Sequence, residues 1–252
     1  MSGHSKWSTI KHKKAALDAK RGKLFTQLAR EITIAAREGG GSTEFNFGLR
    51  LAVDKAKGAN MPKDNIERAI KRGTGELKGE DFEEITYEAY APHGVGILVK
   101  VLTDNRNRAV SDLRRVVTRS GGSMAEAGAV SWQFERKGYI AIMPDGLDPD
   151  TVFEAAVEAG AEDVVFSDDM IEIFAQPESF QGVRQVLEDM GAHFDTVELT
   201  MVPKNTLTLE EKETFKVMEV ITTLEDLDDV QEVYSNLHIS DEVMEKFEAL
   251  SE

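Results

Sequence analysis

The stretch GTGELKGE at residues 73–80 separates two parts of the chain whose apolar residues recur at different periods. Before it, from Lys11 to Arg72, they return every three or four positions, the spacing of one helix face. After it, from Phe82 onward, they tend to alternate, the spacing of a half-buried strand. This switch confines the chain to a helical part followed by mixed parts, an α+β protein.

Leu17, Leu24, Leu28, Ile32 and Ala35 predict helix over 11–37, with Gly22 either splitting it or marking a weak point, and GGGS at 39–42 ending it. Phe45, Leu49, Ala52, Val53 and Ala56 predict a second helix, capped by Thr43 and stopped by Gly58. A third opens near Pro62, carries Ile66, Ala69 and Ile70, and stops at Gly73. FEEITYEAYA (82–91) and GVGILVKVLT (94–103), joined by PHG, predict a β-hairpin, and residues 104–122 a helix capped by Asp104 or Asn105. Residues 131–203 follow the order β-α-β-β-α-β, the ferredoxin-like plan. The tail supplies a helix near 209–223, a strand at 229–236 and a helix near 240–250. Its elements lack sequence neighbours to pack on, and the hairpin lacks strands to complete its sheet. The expected domains are therefore a three-helix domain at 1–78 and two ferredoxin-like α/β domains, a discontinuous one of 79–130 plus 204–252 and one of 131–203 inserted in it.

Charge divides along the same boundary. The whole chain carries -16, but residues 1–72 hold 16 Lys and Arg against 7 Asp and Glu, a net +9, which leaves -25 for the rest. Such asymmetry predicts a basic module for a polyanion attached to acidic domains. The candidate nucleic-acid contacts are Lys6, Lys11, Lys13, Lys14, Lys20, Arg21 and Lys23, with His4, Trp7 and His12 interleaved. Cations seven residues apart return to nearly one helix face, and a ridge of them binds phosphates by counterion release. Trp7 adds a surface for base stacking. The competing reading is a solvated Lys-rich face with Trp7 packed as an anchor. Arg106, Arg108, Arg114 and Arg115 form a second candidate cluster, which suits bidentate phosphate contacts or pairing with acids of the neighbouring domains. In the third helix, Asn65 and Arg68 are candidate base readers.

Catalytic patterns are missing. There is no cysteine, the five histidines are scattered, and no HExxH, Walker A or GxSxG string occurs. The sequence predicts no enzyme, no cofactor and no metal site. It also predicts no membrane span or secretory signal, and a cytoplasmic location.

GHSKW…IKHKKAALDAKRGKLF, NMPKDNIERAIKRG, AYAPHGVGILV and TDNRNR with its following GGS resemble the YebC/PmpR family of bacterial regulators, essentially from end to end. Ser8-Thr9 and Lys13 stand where the family more often has Ala-Asn and Arg. The resemblance implies an N-terminal helical domain and two α/β domains, one inserted in the other, and a non-enzymatic role as a DNA-binding transcriptional regulator. Mitochondrial relatives that activate translation of cytochrome oxidase imply an alternative, a factor that meets ribosomal RNA or the ribosome and relieves stalling. A third reading is a scaffold whose basic segment docks on an acidic protein. Protein partners are expected on the acidic domains.

Overall fold

The computed structural model of the chain describes residues 18–78, 81–167 and 170–250. It is an α+β structure with two four-stranded antiparallel sheets. The chain divides into two compact units, one formed by Phe134–Lys204 and the other by the segments on either side of it.

The larger unit begins with three helices, α1 (Asp18–Gly39), α2 (Phe47–Gly58) and α3 (Lys63–Gly73). Leu28, Ile32 and Ala36 of α1 recur every four residues and are buried against Leu49, Ala52, Val53 and Ala56 of α2 and Ile66 and Ala69 of α3. Gly22 lies within α1, which runs through it. The cap of α2 is Asn46, not Thr43. Its side-chain oxygen accepts from the Leu49 amide, while its Nδ2 donates to the carbonyls of Ala35 and Gly40, tying the end of α1 to the start of α2. The preceding Phe45 therefore sits outside the helix and is 85% exposed, although its spacing matched the seam. Only glycine fits at residue 73, because a Cβ there would stand 2.3 Å from the Thr33 carbonyl oxygen. The Thr33 hydroxyl also donates to the Ala69 carbonyl at 3.2 Å, so α3 is held hard against α1 at this end.

The same unit continues with β1 (Glu83–Tyr90), β2 (Gly96–Thr103), α4 (Arg106–Arg119) and β3 (Ser123–Met124). Asn105 caps α4 by accepting from the Arg108 amide. Glu88 of β1 is buried and accepts amide hydrogens from Gly128, Val130 and Ser131, which fixes the loop before the inserted unit. Burial works against its charge, but these three donors outweigh that and lower its pKa.

The inserted unit consists of β4 (Phe134–Met143), α5 (Pro149–Glu158), β5 (Ala161–Phe166), β6 (Ile171–Ala175), α6 (Phe180–Asp189) and β7 (His193–Pro203). Its sheet order β5-β6-β4-β7, with every neighbouring pair antiparallel, is the ferredoxin-like arrangement. Gly138 lets the Phe180 ring approach β4, where any Cβ would lie 2.2 Å from the ring.

Beyond the insertion come α7 (Glu211–Glu225), β8 (Val230–Ser235) and α8 (Asp241–Leu250). β8 pairs antiparallel with β2, so the first sheet has the order β3-β1-β2-β8 and a strand from late in the chain lies beside its central hairpin. Ile97, Val99 and Val101 of β2, Leu113 and Val117 of α4, and Val217, Ile221 and Leu224 of α7 share its core. No helix among the described residues is long and apolar enough to cross a membrane.

Candidate nucleic-acid interface

Of the candidates in the basic segment, His4, Lys6, Trp7, Lys11, His12, Lys13 and Lys14 lie outside the described residues. Lys20 and Arg21 fall in the first turn of α1, with their side chains outside the described part. Lys23 is described, and its ammonium donates to the Glu225 carbonyl at 2.9 Å, at the end of α7. A cation at a helix C-terminus complements the exposed carbonyls there.

Lys23 is one of a row. Gln27, one turn on, donates to the Val230 carbonyl at 2.6 Å, and Arg30 donates to the Asp228 carbonyl at 2.8 Å and to Asp229 at 3.4 Å. On α2, Lys55 stands 3.5 Å from Glu232 of β8 and 3.4 Å from Glu31 of α1. Lys100 of β2 reaches Glu232 at 3.8 Å and Glu84 at 3.4 Å. Burial resists the charge on Glu232, but Lys55, Lys100 and the Tyr234 hydroxyl prevail and hold its pKa down at about 2. The same carboxylates, Glu232 first, raise the pKa of Lys100 against its burial. These contacts fasten one face of the helical part to the tail segment of the first sheet.

The second arginine cluster is also largely paired. Arg108 donates to Asp229 through Nε at 3.1 Å and through its terminal nitrogen at 2.8 Å, and to Asp104 at 2.7 Å. These bonds, to Asp229 first, raise its pKa further. Asp229 is buried and also accepts from the Thr103 hydroxyl at 2.9 Å. Arg106 pairs with Glu83, and Arg115 with Asp112 at 3.0 Å. Arg114 is exposed, with no ion pair among the described residues. A phosphate approaching this helix would compete with Asp229 for Arg108 and would meet Arg114 free.

Cations without an ion pair among the described residues also line a cleft of about 630 Å³ beside the helical part. From α1 it is lined by Phe25, Thr26, Ala29, Arg30 and Thr33, and from α3 by Asn65, Arg68, Ala69 and Arg72. Met61, Lys78 and Phe82 complete it. Residues 65, 68, 69 and 72 share one helix face by their spacing. The Arg30 guanidinium lies over the Phe82 ring, 4.9 Å from its centroid, and Arg37 donates to the Phe82 carbonyl. Arg68, Arg72 and Lys78 are exposed and make no ion pair among the described residues, and no acid among those residues lines the cleft. Sequence reasoning singled out Asn65 and Arg68 but missed Arg72, Lys78 and Phe82. The spacing of Arg72 from Arg68 carried a signal, and the juxtaposition with residues 78–82 carried none.

Comparison with known proteins agrees in two ways. The TACO1/YebC protein N-terminal domain matches residues 5–76, and the TACO1/YebC second and third domain matches residues 82–237. Proteins named "Probable transcriptional regulatory protein" are similar along nearly their whole length. That of Trichlorobacter lovleyi is 55% identical, covering 98% of this chain and 99% of the relative, and that of Geobacter sulfurreducens is 53% identical with the same coverage. The crystal structure of a conserved hypothetical protein from Aquifex aeolicus superposes with a TM-score of 0.83 at 47% identity, covering 92% of this chain and 96% of that one. With both domain models and full-length relatives in agreement, the chain belongs to the TACO1/YebC family, the YebC/PmpR group of regulatory proteins.

Proposed function

We propose that the protein is a non-enzymatic regulator that binds nucleic acid through its helical part, acting on DNA as a transcriptional regulator. The observation that carries this reading is the charge partition, +9 over residues 1–72 against -25 over the rest, in a chain whose relatives are named as transcriptional regulators. The acidic remainder would be repelled from phosphate and leaves the basic helical part as the contact surface. Lys11, Lys13, Lys14 and Lys20 supply sequence-independent phosphate contacts, with Arg114 a further one on α4.

The test is the salt dependence of binding to duplex DNA. Replacing these four lysines by glutamine is expected to lower the slope of log affinity against log salt by about 3–4, at roughly 0.9 per lost phosphate contact. A slope unchanged by all four substitutions would overturn the assignment.

A second reading, binding to ribosomal RNA in support of translation, is favoured by one specific observation. Asn65, Arg68 and Arg72, the face of α3 that a groove-reading helix would present, form instead the wall of a cleft. Crosslinking in cells with sequencing of bound DNA and RNA separates the two: promoter peaks for transcription, ribosomal RNA for translation.

A further inference from the structure

Three features outside the predicted basic segment are candidates for a role. The apolar face carrying Phe153 and Val157 on α5 is exposed, but nothing on the molecule indicates what would cover it. The Glu232 cluster joins parts of the fold, and its two lysines are already paired with three carboxylates. The cleft between α1 and α3 is different, because it combines, in one concavity, aromatic surface with cations and a side-chain amide that have no partner among the described residues.

We propose that this cleft holds a single unpaired nucleotide of the bound strand, its phosphate held by Arg68, Arg72 and Lys78 and its base set against Phe82. The proposal deepens, and rests on, the reading of the protein as a nucleic-acid binder. At about 630 Å³ the cleft is in the size range of sites for small organic ligands. Arg68 and Arg72 lie one turn apart on α3 and offer planar donor forks suited to phosphate oxygens. Their counter-charge is not supplied by any described residue, so an incoming phosphate displaces only water and counterions. Phe82 is held from two directions, its ring against Arg30 and its carbonyl by Arg37, which gives a base a pre-positioned aromatic surface. The Asn65 side-chain amide has no hydrogen-bond partner among the described residues, and it presents both a donor and an acceptor to a base edge. A base within a duplex cannot reach this position, since its faces are covered by its neighbours. The occupant is therefore a nucleotide from a single strand or a loop.

The test uses the full chain, the double variant Arg68→Gln/Arg72→Gln and the variant Phe82→Leu, with oligouridine, oligothymidine and a duplex of equal length as probes. Both arginines are exposed and make no ion pair among the described residues, so their loss is expected to leave folding intact. The double variant is expected to bind single strands about tenfold more weakly, with a salt slope shallower by about 1.4, at roughly 0.7 per contact, and to lose markedly less on duplex. Phe82→Leu is expected to lose about tenfold on single strands alone. Comparison of oligouridine with oligothymidine identifies RNA or DNA as the source. Equal loss on duplex and single strand, or no loss on either, would overturn the proposal while leaving the general function standing. A titration with uridine monophosphate, followed by the amide resonances of Asn65 and Phe82, tests the cleft apart from polymer binding. Shifts that vanish in the double variant support it even if the chain binds no polymer, in which case the general function falls. Absence of shifts, or equal shifts with inorganic phosphate alone, counts against it.

Discussion

Arg108 and Arg72 are both arginines on helices of the larger unit, yet they stand in opposite electrostatic situations. Arg108 is surrounded by its own acceptors, two oxygens of Asp229 and one of Asp104. Arg72 faces a cleft with no described acid in its lining. The difference teaches that a basic residue marks a binding surface only after its internal counter-charge has been subtracted. By that measure Arg108 is tied to its own fold, whereas Arg72 has no ion pair among the described residues.

The largest test of this contrast removes the counter-charge. Asp229→Ala leaves Arg30, Arg108 and the Thr103 hydroxyl without their shared buried acceptor, and is expected to cost about 3 kcal/mol, read as a lower urea midpoint. If stability were unchanged, Arg108 would have to be regarded as free for a ligand.

A second test uses pH. The Glu232 carboxylate is held below its ordinary value of 4.5, at about 2. Its ionised form therefore stabilises the folded state, fully above pH 4.5 and progressively less as pH falls towards 2. The expected loss over that window is about 2 kcal/mol, and in Glu232→Gln this part of the pH dependence disappears. Chemical denaturation at stepped pH measures both.

Gly73→Ala sharpens the cleft side of the comparison. The new methyl group would collide with the Thr33 carbonyl and force α3 away from α1, at an expected cost of about 1–2 kcal/mol. Single-strand affinity should change with it, whereas a variant altered in stability only would keep its affinity. The smallest effect belongs to Arg114→Ala. An exposed arginine with no ion pair among the described residues is expected to change stability by less than about 0.5 kcal/mol, and thermal unfolding is sensitive enough to check it.

Much of the fold is legible in the sequence because hydrophobic period is a local signal. Leu24, Leu28 and Ile32 announce their helix, and the alternation in residues 82–103 announces the hairpin. Local reading fails where two signals compete. Phe45 has the right spacing for the α2 seam, yet Asn46 starts the helix one residue later because its amide can also bridge back to α1. The candidate site was only half legible for a related reason. Asn65 and Arg68 could be read from one helix, but the pairing of Arg108 with Asp229 spans 121 residues and the cleft joins three separate segments. No periodicity encodes either. The α+β class, by contrast, needed only the change of period near residue 80.

The placement of β8 also sets a timetable for synthesis. Lys23, Gln27, Arg30 and Lys55 find acceptors at residues 225–232, so this face of the helices made first stays unfastened until nearly the whole chain has emerged. A product cut short before residue 225 would carry the basic helices without their anchor. Such a fragment would keep the net positive charge of residues 1–72 and lose the acceptors at 225–232 that hold this face in place.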